Sequence, residues 1–66
     1  MKLHYDPETD AIYLRLGDAD VLESEEVRPG VVLDFDANDQ VVGVELLGVR
    51  ERFPGAEPDR LELDVA

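Results

Sequence analysis

A mainly β protein of about five antiparallel strands is the fold this sequence predicts, on three observations. Several short runs alternate apolar and polar residues, the period of a strand with one face buried. Residues that favour turns separate those runs at Asp6-Pro7, Gly17-Asp18, Pro29-Gly30 and Asn38-Asp39. Helical spacing occurs in one stretch alone, from Leu46 to Phe53. The strands are expected as two hairpins joined by an irregular connecting strand.

Met1, Leu3 and Tyr5 fall on one side of the first run, with Lys2 and His4 on the other. A Pro flanked by acids then breaks the chain at Asp6-Pro7-Glu8-Thr9-Asp10. In the next run Ile12, Leu14 and Leu16 oppose Ala11, Tyr13 and Arg15. Pairing Tyr5 with Ile12, Leu3 with Leu14 and Met1 with Leu16 gives a hairpin that is apolar on one side.

Val21 to Arg28 is the irregular strand. Val21, Glu23, Glu25 and Val27 share a parity, so acids interrupt its apolar side. That suits an edge strand, a bulge or an irregular crossing, since charge on an edge discourages wrong pairing. Gly30 to Leu46 reads as the central hairpin. A tight turn at Asn38-Asp39 sets Asp36 against Val41, Phe35 against Val42, Leu33 against Val44 and Val31 against Leu46. The opposite face carries Asp34, Asp36 and Glu45 with Val32, Val41 and Gly43. A slip of one residue would bury the acids, so the register is strongly specified.

Beyond Leu46, either a helical turn through Val49 and Phe53 stops at Pro54-Gly55, or the strand simply runs out. Arg60 to Val65 alternates again, with Leu61, Leu63 and Val65 against Glu62 and Asp64. It reads as a last strand, or as a tail that orders against a partner. Residues 1–49 are thus expected to form a single β-rich domain and 50–66 an extension.

Composition bounds the function. A chain of 66 residues holds one small domain, which buries only about 60% of the surface its unfolded form exposes. Oligomerisation is the usual remedy. The absence of cysteine rules out disulfides and thiolate metal sites. No signal-like leader and no apolar run of membrane-spanning length occurs, so the expected location is the cytoplasm. A net charge of −11 opposes binding to nucleic acid or to an anionic membrane. Among the basic residues only Arg50 and Arg52 approach a patch, so a macromolecular partner is expected to be cationic.

Asp34, Asp36, Asn38 and Glu45 have the spacing by which an EF-hand loop presents oxygen ligands. Asp39 stands where that loop needs glycine, and the flanks alternate as strands rather than helices. A solvated acidic sheet face explains the same residues, and no metal or other cofactor is expected. His4 is the sole histidine, which leaves no partner for a histidine metal cluster or a histidine-activated nucleophile within one chain. Ser24 lies among Glu23, Glu25 and Glu26, whose charges oppose an alkoxide. Tyr5, Tyr13, Phe35 and Phe53 read as core or interface residues rather than stacking platforms. No catalytic residue is assigned, and an enzyme is not expected.

Several strings of residues together resemble a known family. They are Tyr5-Asp6-Pro7, Asp10-Ala11-Ile12-Tyr13-Leu14-Arg15-Leu16, Glu23-Ser24-Glu25-Glu26-Val27, Pro29-Gly30-Val31-Val32-Leu33-Asp34 and Val42-Gly43-Val44-Glu45-Leu46. The pattern is similar to DUF2283, a family of small prokaryotic proteins of unknown function, over about residues 1 to 49. The resemblance implies stand-alone short proteins, some of them partners of small basic toxin-like proteins, and it implies no activity, cofactor or catalytic residue. Gln40 stands where relatives commonly have glycine at the end of the central turn.

Taken together, these features predict a protein-protein interaction module that forms a homo-oligomer and pairs with a small basic protein. Val32, Val41, Leu47, Leu61, Leu63 and Val65 are its expected contact surface. The alternative is a small-ligand or divalent-cation binder using the acidic outer face.

Overall fold

The computed structural model describes all 66 residues. Strands β1 (Lys2–Asp6), β2 (Ala11–Arg15), β3 (Glu23–Arg28), β4 (Val31–Phe35) and β5 (Val41–Leu46) are followed by one helical turn, α1 (Val49–Arg52). All five strands lie in a single sheet in the order β1-β2-β5-β4-β3, with every neighbouring pair antiparallel. The two hairpins therefore do not stack face to face. They lie edge to edge, joined where β2 pairs with β5.

The first hairpin has the expected register, with Tyr5 opposite Ile12 and Leu3 opposite Leu14. Met1 and Leu16 do not pair, because the ladder ends at Lys2 and Arg15 and the Leu16 amide instead donates to the Val42 carbonyl of β5 at 2.8 Å. In the central hairpin Val31 opposes Leu46 and Leu33 opposes Val44, as the alternation predicts. The tip differs. Phe35 faces Val41 rather than Val42, Asp36 faces neither, and a register shift falls between Asp34 and Phe35.

The cause is the Asp36 side chain. Its Oδ1 accepts the amides of Asn38 at 2.8 Å and Gln40 at 3.0 Å, while its carbonyl accepts the Asp39 amide at 3.1 Å. Asp39 closes the loop in a left-handed conformation, φ 61°. A longer turn of this kind replaces the two-residue turn expected at Asn38-Asp39, and a bulge on β5 absorbs the extra residue. Val42 is that residue, and it is 5% exposed.

At the outer edge, β3 begins at Glu23 rather than Val21, and a second register shift between Glu26 and Arg28 sets Val27 aside. This is the irregular edge strand that its acids predict. At the turn end of the sheet, α1 sits between the two hairpin connections. The Val49 amide donates to the Asp10 carbonyl at 3.0 Å, on the β1–β2 turn. On the other side the Leu47 amide donates to the Gly30 carbonyl at 2.8 Å, on the β3–β4 turn. Gly30 has φ 76°, and a Cβ there would run into the Arg52 guanidinium, so only glycine lets that side chain close over the turn. Past α1 the chain forms no strand, and Arg60 to Val65 remains a tail.

Candidate functional site

The register sorts the side chains onto two faces. Leu3, Leu14, Val44 and Leu33 align across one rung of the first face, and Tyr5, Ile12, Leu46 and Val31 across the next. In an ordinary two-layer domain these residues would be enclosed by a helix or a second sheet. Here only Val42, Gly43 and Val49 are buried, and no side chain is completely enclosed. The accessible surface is 5277 Å², against about 4,200 Å² for a typical monomer of this mass. A Cα radius of gyration of 12.7 Å likewise exceeds the ~11 Å of a compact chain of this length. Both excesses come from a one-layer sheet with a tail that packs on little.

On the opposite face, three strands contribute one hydrogen-bonded line. Tyr13 on β2 donates its hydroxyl to Asp34 Oδ2 on β4 at 2.8 Å, and Ser24 on β3 donates to Asp34 Oδ1 at 2.6 Å. Between Tyr13 and Asp34 lies β5, which the tyrosine must cross. Gly43 makes that crossing possible: a Cβ there would stand 2.9 Å from Asp34 Oδ2, 3.0 Å from Tyr13 Cζ and closer still to the hydroxyl. The Asp34 carboxylate accepting the phenolic proton holds the Tyr13 phenol above its ordinary value, and desolvation adds to the effect.

A second polar junction ties α1 to the sheet. Asp10, with φ 54°, turns its carboxylate toward Tyr5 and Arg50. Its Oδ1 accepts the Tyr5 hydroxyl at 2.9 Å and Arg50 Nε at 3.0 Å, and its Oδ2 accepts the Arg50 amide at 3.0 Å. Desolvation pushes the Asp10 carboxyl up, but the Arg50 amide, the Tyr5 hydroxyl and the Arg50 guanidinium outweigh it, so Asp10 titrates below its ordinary value. Tyr5 is pushed up, by desolvation first and by Asp10 second. A shallow, open depression of about 630 Å³ is lined by Tyr5, Pro7 and Arg50 and by Glu57 to Asp59, where the tail departs.

The residues singled out in the sequence scatter across this frame. Asp34 spends both carboxylate oxygens on hydroxyls, Asp36 and Asn38 build the central turn, and Glu45 lies opposite Val32 on β4 and Tyr13 on β2. They do not converge, and no group of three or more acidic or histidine side chains is arranged to hold a metal ion. Val32 shares the face of Asp34 and is half-buried, Val41 and Leu47 are moderately exposed, and Leu61, Leu63 and Val65 are 72%, 84% and 79% exposed. His4 is exposed and stands with Lys2, Tyr13 and Arg15 at one corner of the polar face. Sequence reasoning missed the Asp10 junction and the Tyr13–Asp34–Ser24 line. A glycine inside an alternating strand was the available signal for the second.

With this geometry in view, comparison with known proteins gives one result. The model of a protein family of unknown function, DUF2283, matches residues 2–50. The chain belongs to the DUF2283 family. The match covers the whole sheet and ends within α1, which leaves the tail outside it. No curated protein and no solved structure matches this DUF2283 chain. No helix in it is long and apolar enough to cross a membrane.

Proposed function

We propose that this DUF2283 protein is an interaction module rather than an enzyme, and that it self-associates to cover what its single sheet leaves open. One observation carries the reading: a sheet with an aligned apolar face has no layer over it, and the chain exposes about 1,100 Å² more than its mass calls for. A standard interface removes about 800 Å² from each partner, so one dimer contact is of the size needed. Val41, Leu47 and the tail residues Leu61, Leu63 and Val65 are exposed apolar side chains that add to the contact surface.

Charge sets how the association behaves. Two chains of net charge −11 repel each other, so apolar burial has to overcome a repulsion that salt screens. Self-association therefore strengthens as salt rises. A second reading is favoured by the outer edge, where Glu23, Glu25 and Glu26 are all exposed along β3. That edge suits a small basic protein, and such a complex weakens as salt rises.

Sedimentation velocity of the full chain at micromolar concentration, from low to about 0.5 M salt, tests the proposal. A dimer whose population grows with salt supports it. A monomer at every salt concentration overturns it.

A further inference from the structure

The two edges of the sheet are not equivalent. β3 is defended by a bulge at Val27, by Glu23, Glu25 and Glu26, and by Pro29 at its end. β1 also runs into a proline, Pro7, but it has no bulge and no row of glutamates. Its ladder with β2 is regular from Lys2 to Asp6, and its outer row of amides and carbonyls faces no strand. An edge of this kind is a template for another strand.

The tail carries the pattern such a strand needs. Leu61, Leu63 and Val65 alternate with Glu62 and Asp64, and nothing in their own chain covers them. Laid antiparallel along β1, the segment sets Leu61 against Tyr5, Leu63 against Leu3 and Val65 against Met1 on the apolar face. On the polar face it sets Glu62 against His4 and Asp64 against Lys2, at the corner where Arg15 adds a further positive charge. Each apolar side chain meets an apolar one, and each carboxylate meets a basic residue. Along β3 the same parity would bring leucines against Glu23 and Glu25 and a carboxylate beside Glu26, and the opposite parity would bring Glu62 and Asp64 against Glu23 and Glu25.

The chain's own turn keeps this segment off β1 of the same copy. Glu57 to Arg60 reverses the chain through the Arg60 amide on the Glu57 carbonyl at 2.8 Å and an Arg60–Glu57 ion pair at 3.0 Å. Leu61 and Glu62 then lie back beside Gly55 rather than beside β1. From these observations we infer that segment 60–66 of one copy adds to the β1 edge of a second copy, and that the exchange is mutual. The inference rests on the self-association reading and adds an edge contact to it, one that extends the apolar face and does not itself cover it.

The chain has no cysteine, so introduced pairs report unambiguously. In the full chain carrying H4C and E62C, mild oxidation is expected to give a doubly linked dimer. The E25C and E62C pair, which probes the β3 edge, is expected to give none. L63P removes an amide from the new ladder without touching the sheet, and it is expected to weaken the dimer about tenfold or more by sedimentation. Monomers cross-linked within one chain overturn the exchange, as does equal linking through Glu25. A salt-strengthened dimer that L63P leaves intact removes this inference while the self-association reading stands; a monomer throughout removes both.

Discussion

Gly43 offers the sharpest test of how the polar face is built. Replacing it with alanine places a methyl group against the Tyr13 hydroxyl, 3.0 Å from Tyr13 Cζ and 2.9 Å from Asp34 Oδ2. Real Cβ atoms do not approach that closely, so the tyrosine must swing away and release its 2.8 Å hydrogen bond to Asp34. Losing a hydrogen bond to a charged acceptor at a half-buried site costs about 1.5–2 kcal/mol. Removing glycine's backbone freedom from a strand returns ~0.5–1 kcal/mol. The net is a loss of about 1 kcal/mol, or about 4–8 °C in Tm for a domain of this size. In a Tyr13→Ala background the phenol is gone, Asp34 is released from its bond to Tyr13 and can turn Oδ2 off the new methyl group, and the backbone gain remains. There Gly43→Ala is expected to stabilise by ~0.5–1 kcal/mol. Chemical denaturation of the four proteins of this cycle at one fixed concentration measures both effects. A G43A change of the same sign and size in both backgrounds would refute the idea that glycine is there to let the tyrosine cross.

Further outcomes follow from the two polar junctions and the buried valine. Because the folded Asp10 carboxyl lies below its ordinary value of 3.8, ionised Asp10 contributes stability above that pH and loses it as pH falls from there through the folded value. Asp10→Asn is therefore expected to be less stable than wild type at pH 7, with a difference that closes on acid titration followed by circular dichroism. Both tyrosines are held above 10.0 when folded, so absorbance at alkaline pH should show phenol ionisation later than in the urea-unfolded chain, and Asp34→Asn should bring one of the two back. Val49 is 3% exposed and is the one buried side chain of α1. Val49→Ala removes the equivalent of two methylene groups and should cost about 2 kcal/mol, read as a lower denaturation midpoint.

The strands were legible because alternation and turn residues are local signals. Leu3 with Leu14, Tyr5 with Ile12 and Leu33 with Val44 all follow from parity and a nearby turn. The Phe35 pairing was not legible in the same way. Asn38-Asp39 has the composition of a two-residue turn, and what overrides it is the reach of the Asp36 carboxylate to two amides, which alternation does not encode. Joining the hairpins through β2 and β5 was less legible still. Two strand pairs with one apolar face each could stack or lie side by side, and parity is the same in both arrangements. Asp10 illustrates the limit for the site: in the sequence it is one acid of 17, and only a contact 40 residues away, to Arg50, gives it a role.

The side-by-side arrangement explains why the chain is so acidic on one margin and not on the other. A one-layer sheet has two edges and two faces to protect with very few residues, and an unprotected edge pairs with whatever strand is nearby. Glutamates on the edge and a bulge close the β3 margin to the chain's one unpaired alternating segment, Leu61 to Val65, because that segment is itself acidic. Lys2 and His4 do the opposite at β1: they admit an acidic strand and discourage a basic one. The same net charge that keeps these molecules apart in dilute solution thus leaves one edge where a segment such as Glu62 to Asp64 is attracted rather than repelled. Reversing that local sign with Lys2→Glu, while adding two negative charges overall, should weaken the dimer more at low salt than at high salt, since an exposed charge pair is screened over about 10 Å at 0.1 M. A uniform loss across salt concentrations would show that the charge at this edge does not decide how two chains meet.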